Sequence, residues 1–325
     1  MNLHRVADAA RRLAEGEVIA FPTETVYGLA ADATNAAAVE KIFAVKERPA
    51  DHPLIVHIAD GAAMVDWAAE IPPAARALAS RFWPGPLTII LAKSSRVPAS
   101  VTGGQSTVGL RCPSHPMAQQ LLREFARIGS GAVAAPSANK FGHVSPTTAA
   151  HVREEFGSAL FILDGGACEV GLESTIVDLS RGTPVLLRPG AVTRDDLATA
   201  LGEVPRDRDA DAPRASGTLA AHYAPRTALV IADSASLDAE LASRANIAVL
   251  ALREAAPSAN VTSWIAAGAD PARYGHDLYA NLRKLDASGA KRIVVEAPPR
   301  TVEWEAVNDR LTRAAAGAGA LGDET

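Results

Sequence analysis

The chain has 325 residues, 48% of them hydrophobic and 21% charged, with a formal net charge of −5. This is the composition of a globular protein long enough for about two domains. The acidic balance argues against tight, sequence-blind nucleic-acid binding as the main activity, because that needs a basic surface, and leaves room for a local basic pocket. Two cysteines, Cys112 and Cys168, exclude a disulfide framework and any Cys-x-x-Cys zinc or redox motif. No apolar run approaches the ~18 residues of a membrane helix, and the charged N-terminal segment does not read as a signal peptide. A cytoplasmic protein is expected.

In chain order, the N-terminal segment with Arg5, Asp8, Arg11, Arg12 and Glu15 among apolar residues reads as a helix, and Val18 to Phe21 as a strand. Asn35 caps a helix through Lys46, in which Val39, Ile42 and Phe43 fall at i, i+3 and i+4. Pro49 stops it from resuming. Apolar β-like runs follow at 53–58, 87–91, 107–110, 132–135, 160–163, 174–179 and 185–187. Ser145-Pro146 reads as an N-cap with proline at the first helical position, opening a helix through Phe156. Thr193 with Asp196 opens another. Several strands follow one another with only a turn between them, which predicts a twisted mixed α/β sheet rather than a doubly wound parallel one.

Composition changes after Gly202. Residues 203–226 are polar and proline-containing, with no periodicity, and read as an interdomain linker whose Arg206 to Asp211 run is a solvated spacer. Strands at 228–231, 247–252 and 292–295 then alternate with helices at 237–244, 273–285 and 304–315. That rhythm predicts a small three-layer parallel, Rossmann-like domain, although no Gly-x-Gly-x-x-Gly assigns it a dinucleotide. The expected organisation is a catalytic domain over 1–202, a linker over 203–226, an α/β domain over 227–318, and an Ala/Gly-rich tail that frays over 319–325.

The sequence lacks a phosphate loop, a Gly-x-Ser-x-Gly elbow and a His-Glu-x-x-His pair. What remains is a group of cations and small hydroxyls at strand ends and turns: Lys46, Arg48, Arg111, Lys140 and Arg188, with Thr25, Thr107, Ser137 and Ser145. Strand ends are where α/β proteins build ligand sites. Arginine forks grip phosphate oxygens, and a helix start at Ser145 would add amide donors. The residues point to a pocket for an anionic ligand, particularly a polyphosphate, and by themselves name no reaction.

Phe21-Pro22-Thr23-Glu24-Thr25-Val26-Tyr27-Gly28-Leu29, then Lys46-Glu47-Arg48-Pro49, then Ser137-Ala138-Asn139 resemble the Sua5/YrdC/YwlC family of L-threonylcarbamoyladenylate synthases over roughly residues 5–202. Lys-x-Arg and Ser-x-Asn are signatures of that family. His222-Tyr223-Ala224-Pro225 and the domain after it resemble the longer Sua5 form. Where many relatives have Ser-Pro-Gly before that element, this chain has Ala215-Ser216-Gly217.

The resemblance implies a nucleotidyltransferase that makes threonylcarbamoyl-AMP and pyrophosphate from L-threonine, bicarbonate and ATP, with Mg2+ carried by the ATP and no protein metal ligands. The product would pass to a separate tRNA threonylcarbamoyltransferase complex that modifies adenosine 37. By position, Thr25, His57, Arg111, the backbone of Ala135 and Ser174 are the implied threonine contacts. Lys46, Arg48, His52, Thr107, Ser137, Asn139, Ser145, Arg188 and Tyr223 are the implied ATP contacts. A linker bearing Tyr223 would close over the pocket and keep water from the labile intermediates. The rival from another class is an RNA-binding module without catalysis, which the acidic charge and scarcity of aromatic platforms disfavour.

Overall fold

The computed structural model describes residues 3–254 and 260–319. They divide into two compact units. The first comprises residues up to Phe141, Pro146–Glu169 and Glu173–Thr218; the second comprises Gly142–Ser145, Val170–Leu172 and the residues from Leu219 onward.

The first unit runs α1 (Leu3–Ala14), β1 (Ile19–Phe21), β2 (Gly28–Asp32), α2 (Ala36–Lys46), β3 (Ile55–Ile58), α3 (Met64–Trp67), α4 (Pro73–Phe82), β4 (Leu87–Ala92) and α5 (Ala99–Thr102). It continues with β5 (Thr107–Arg111), α6 (Pro116–Ile128), β6 (Ala132–Ala135), α7 (Ala149–Phe156), β7 (Phe161–Ile162), β8 (Thr175–Asp178), β9 (Val185–Arg188), α8 (Arg194–Leu201) and β10 (Arg206–Asp207). The strands form one ten-stranded sheet in the order β10-β9-β8-β4-β5-β3-β6-β2-β1-β7. Parallel pairs (β4 with β8, β3 with β5) alternate with antiparallel ones (β4 with β5, β3 with β6), so the sheet is mixed, as the closely spaced runs predict.

Its two faces are covered unequally. One face packs Val56, Ile89, Leu110 and Val177 against residues of α2 and α4. On the other, Ile19, Phe21, Val133 and Ala135 carry α1 and α6. That second cover belongs to the β6-β2-β1 end. Over β3, β4, β8 and β9 a small apolar group, Ile55, Ile90, Ile176, Val185 and Leu187, meets only Ala212 and Ala215 of the chain after β10. The sheet face is therefore left without a helix where β5 and β4 run.

Local signals account for several boundaries. The Asn35 side chain accepts from Ala38 N, and Glu47, in the left-handed region at φ 56°, turns the chain at the end of α2. Thr193 and Asp196 form a reciprocal capping box. The helix expected from Ser145 starts later: α7 begins at Ala149, with Thr148 as its cap accepting from His151 N at 3.2 Å. The carbonyls of Pro146 and Thr147 accept from Tyr27 N and Cys168 N (both 2.9 Å). Carbonyls committed to neighbouring segments cannot begin a helix ladder. The Arg206–Asp211 run is more than a spacer: Arg206 and Asp207 pair in parallel with Val185 and Leu186, and Asp209 accepts from Arg181 at 2.9 Å.

The second unit runs β11 (Leu229–Ala232), α9 (Ser234–Ser243), β12 (Ile247–Ala251), β13 (Val261–Ala266), α10 (Pro271–Asp286), β14 (Arg292–Glu296) and α11 (Glu305–Gly317). Its sheet has four parallel strands, ordered β11-β14-β12-β13. β13 is a strand beyond the three expected. Alternate residues Ala232, Val249, Ala251 and Val294 pack with Leu237 of α9 on one face. α10 packs against β12, and α11 against β11. α11 extends to Gly317 with Ala314 buried; of the expected tail, residues 320–325 lie outside the described residues. Among the described residues no helix is long and apolar enough to cross a membrane.

Candidate active site

Strand register assembles the site. His57 of β3 lies opposite Arg111 of β5, Arg111 opposite Thr88 of β4, Thr88 opposite Ile176 of β8, and Ile176 opposite Arg188 of β9. Directly paired residues share a sheet face, so His57, Arg111, Thr88 and Arg188 form one transverse row. Val133 of β6 is the next member, opposite His57, which puts the row on the face that α1 and α6 cover at its far end. One row along, Gly109 sits between Ile55 and Ile90. A Cβ there would stand 3.3 Å from Thr88 Cγ2, so its absence deepens the channel beside the row.

Arg111 is the anchor. It and Glu24 are buried, and Arg111 Nη2 donates to Glu24 Oε1 at 2.7 Å. Glu24 Oε2 accepts from Ser114 N at 3.0 Å. Arg111 Nη2 also donates to Thr25 Oγ1 at 2.7 Å. Thr23 Oγ1 donates to Val26 O at 2.6 Å, so the proton between the Thr23 and Thr25 hydroxyls, 2.9 Å apart, comes from Thr25. Both Thr25 lone-pair acceptance and its proton are thereby assigned. Arg111 Nε is buried and makes no hydrogen bond among the described residues. A buried guanidinium N–H without a partner is costly, and it fits an incoming carboxylate.

His57 is buried beside this cation. Burial, reinforced by Arg111, lowers its pKa to about 3, so the ring is neutral at ordinary pH. Its Nδ1 lies 3.1 Å from Ile55 O. A carbonyl only accepts, so Nδ1 carries the proton and Nε2 is left as an acceptor. The ring packs edge-on against Phe21 at 5.7 Å. Ala135, the last residue of β6, is in register with Ile55.

The other end of the row is tied by Ser174. Arg188 donates from Nη2 to Ser174 Oγ at 3.1 Å and from Nε to Ser174 O at 3.0 Å, while Ser174 Oγ lies 2.7 Å from Thr88 Oγ1. Arg188 Nη1 donates to Ser216 O at 2.9 Å. Arg214 is held by Asp51 at 3.1 Å and by Gly103 O at 2.8 Å. The segment 212–216 thus roofs an apolar slot whose walls include Pro53, Ile90, Gly109 and Ile176 and whose rim carries Thr107.

A second cationic corner forms where α2 ends. Lys46 is 2% exposed. Its Nζ donates to Ser137 O at 2.5 Å and to Asn139 O. Burial first, then Arg48, holds its pKa well below the usual lysine value. Lys46 therefore neither snorkels nor lies on open surface; it fastens the Ser137–Asn139 turn to α2. Arg48 Nη2 donates to the carbonyl of Pro53, a residue of the slot wall, at 3.0 Å. His52, half-buried, has its pKa lowered by burial and by Arg48.

The fold thus joins Thr25, His57, Arg111, Ser174 and Arg188 through direct contacts or register, and Lys46, Ser137 and Asn139 through another set. Ser145 and Tyr223 belong to the second unit. Glu24 and Thr88 were not singled out from sequence. Glu24 was legible as a carboxylate inside an apolar strand-exit motif, whereas Thr88 looked like any strand threonine. Burial raises the thiols of Cys112 and Cys168 to about 11 and 12, so neither is a nucleophile at neutral pH. Among the described residues no group of three or more His, Cys, Asp and Glu side chains is placed to hold a metal ion.

Comparison with known proteins bears on this geometry. The Sua5/YciO/YrdC family model, described as "Telomere recombination", matches residues 11–190. A second, described as "Threonylcarbamoyl-AMP synthase, C-terminal domain", matches residues 192–316. The threonylcarbamoyl-AMP synthase of Bacillus subtilis is 39% identical over 331 residues, covering 97% of this chain and 94% of its own. That of Pyrococcus abyssi is 44% identical over 235 residues, covering 70% and 68%. The crystal structure of P. abyssi Sua5 complexed with L-threonine superposes with a TM-score of 0.87 at 36% identity, covering 96% of this chain and 94% of that one. The chain belongs to the Sua5/YciO/YrdC family, in the form that carries a Sua5 C-terminal domain.

Proposed function

We propose that the chain is an L-threonylcarbamoyladenylate synthase, a nucleotidyltransferase that converts L-threonine, bicarbonate and ATP, taken as its magnesium complex, to threonylcarbamoyl-AMP and pyrophosphate. The two relatives named above are threonylcarbamoyl-AMP synthases, and the P. abyssi Sua5 structure holds L-threonine. The observation that carries the reading is Arg111: a buried guanidinium, paired with Glu24, whose Nε has no partner among the described residues, in register with neutral His57.

Arg111 takes the threonine carboxylate. His57 Nε2 accepts a hydrogen bond from the amino acid's hydroxyl or amine, and Thr25 and Ala135 close the niche. The free amine attacks the carbon of bicarbonate; the N–C bond forms, water leaves, and a carbamate results. A carbamate oxygen then attacks the α-phosphorus of ATP, and the bond to the β-phosphate bridging oxygen breaks, releasing pyrophosphate. Arg48, Arg188 and Lys46 supply positive potential as charge moves onto the leaving group. The protein's part is placement and electrostatics, with no covalent intermediate. The adenylate passes to a separate tRNA-modifying transferase.

The test is incubation with ATP, threonine and labelled bicarbonate. Pyrophosphate and labelled adenylate should appear together, and omission of threonine should stop both. Pyrophosphate without label in the adenylate, or salt-sensitive RNA binding with no ATP consumption, would reject the assignment. In Arg48→Ala the KM for ATP should rise at least tenfold.

A further inference from the structure

The first unit contains a hollow of about 510 Å³ that none of the chemistry above uses. It lies outside the carboxyl ends of β3 and β5, which run parallel. Residues 59–62 leave β3 along one wall, and Cys112 leaves β5 along another. Residues of α4 and α6 line the rest, and none of His57, Thr88, Arg111 and Arg188 does. The volume falls in the range of about 300–1,000 Å³ usual for small-molecule sites. The carboxyl ends of parallel strands are a common place for such sites.

Each helix turns one stripe toward the hollow. On α4, Arg76 and Ser80 lie one turn apart, and Trp83 follows at the helix end. On α6, Gln119 and Arg123 lie one turn apart. Gln119 is buried and its amide is assigned: Nε2 donates to Pro113 O at 2.8 Å, and Oε1 accepts from Arg123 Nη2 at 3.1 Å. A neutral group thus fixes Arg123. The Arg76 side chain makes no hydrogen bond or ion pair among the described residues. The one carboxylate of the lining, Asp60, accepts from Ala62 N at 2.9 Å. Two guanidinium groups against one carboxylate leave the hollow positive, inside a chain of net charge −5. A cleft lined by one sign of charge concentrates the opposite ion. Core packing needs neither arginine, since both are exposed.

The remaining lining is flat and apolar. Trp83 donates from Nε1 to Leu87 O at 2.7 Å, which fixes its ring. Gly61 lies against that ring: a Cβ there would stand 3.5 Å from Trp83 Cε3 and 4.0 Å from Ala79 Cβ. The missing side chain keeps this part of the hollow open.

We propose that the hollow is a second ligand site, which takes a small organic anion with a flat apolar body. Arg76 and Arg123 hold the charged group, and Trp83 packs against the body. The proposal goes beyond the synthase reading and does not rest on it.

The probe is 1-naphthyl phosphate, titrated calorimetrically into the full chain. Inorganic phosphate and 1-naphthalenemethanol serve as its charged and flat halves. The probe should bind one to one, at least tenfold tighter than either half. Arg76→Glu and Arg123→Glu should each weaken it at least tenfold, and Gly61→Leu should block it. Arg48→Ala, at the other cationic corner, should leave it within twofold. Without probe, the three hollow variants should unfold thermally like the unsubstituted chain and release pyrophosphate within twofold of it. Absence of saturable binding, phosphate binding as tight as the probe, undiminished binding in folded Arg76→Glu and Arg123→Glu, loss of binding in Arg48→Ala, or misfolding of both arginine variants would overturn the proposal. Absence of threonine-dependent pyrophosphate release in the unsubstituted protein would instead overturn the synthase reading and leave this site standing.

Discussion

Arg111 and Lys46 are both buried cations of the first unit, and the fold balances them by different means. Arg111 faces a buried carboxylate, Glu24, that is itself held by Ser114 N. Lys46 meets two backbone carbonyls. A full opposite charge keeps a cation charged; carbonyl dipoles compensate less, and the Lys46 ammonium is pushed down by burial and by Arg48. The Arg111 end of the row thus brings its own counter-charge. At Lys46 the Glu155 carboxylate favours the charge but does not offset burial and Arg48.

The largest effect should follow from breaking the Arg111 pair. Arg111→Ala strands the Glu24 carboxylate and should cost ~3–5 kcal/mol in denaturant unfolding, while the Arg111→Met/Glu24→Leu double variant should regain much of it. A loss below about 1 kcal/mol in the single variant would mean the pair is not buried as described. Next, Lys46 predicts proton linkage. Between its lowered pKa and 10.5 the lysine is short of a proton; a polyphosphate restores it, so binding ATP at alkaline pH below 10.5 should take up a fraction of a proton, at most about one. Calorimetry in buffers of different ionisation enthalpy measures this, and Lys46→Met should abolish it.

His57 sharpens the contrast from the other side. Its folded pKa of about 3 lies below the unfolded value of 6.5. The unfolded state therefore binds the extra proton as pH falls through this window, and stability should fall by up to about 1.4 kcal/mol per pH unit. His57→Gln should flatten that slope in unfolding titrations between pH 6.5 and 4. The smallest effect is Ser174→Ala, which removes the hydroxyl shared by Arg188 and Thr88 and should cost about 1 kcal/mol.

What the sequence makes legible follows from how local each signal is. The Asn35 cap, the Thr193–Asp196 box and most strands of the first unit are written in adjacent residues. β2 is missed because Gly28-Leu29-Ala30-Ala31-Asp32 has little β-branched character. α6 is missed because its cap is the ring Nδ1 of His115, accepting from Met117 N, in place of a usual capping residue. Ser145-Pro146 misleads because the carbonyls that decide the helix start are claimed by Tyr27 and Cys168, which are distant in sequence. The cations that the structure gathers at the candidate site were legible as strand-end residues. Its pairing was not: Glu24, Thr88 and the row that joins them depend on strand register, which no single segment encodes.

That row has a consequence for how the protein behaves as it is made. His57, Thr88, Arg111 and Arg188 meet only when β3, β5, β4, β8 and β9 are all zipped together. On the proposed reading, in which this row binds substrate, a partly formed sheet offers no niche and ligand binds the finished sheet alone. By mass action, occupancy then protects the whole central sheet rather than one loop, adding RT ln(1 + [L]/Kd) to the free energy of global opening.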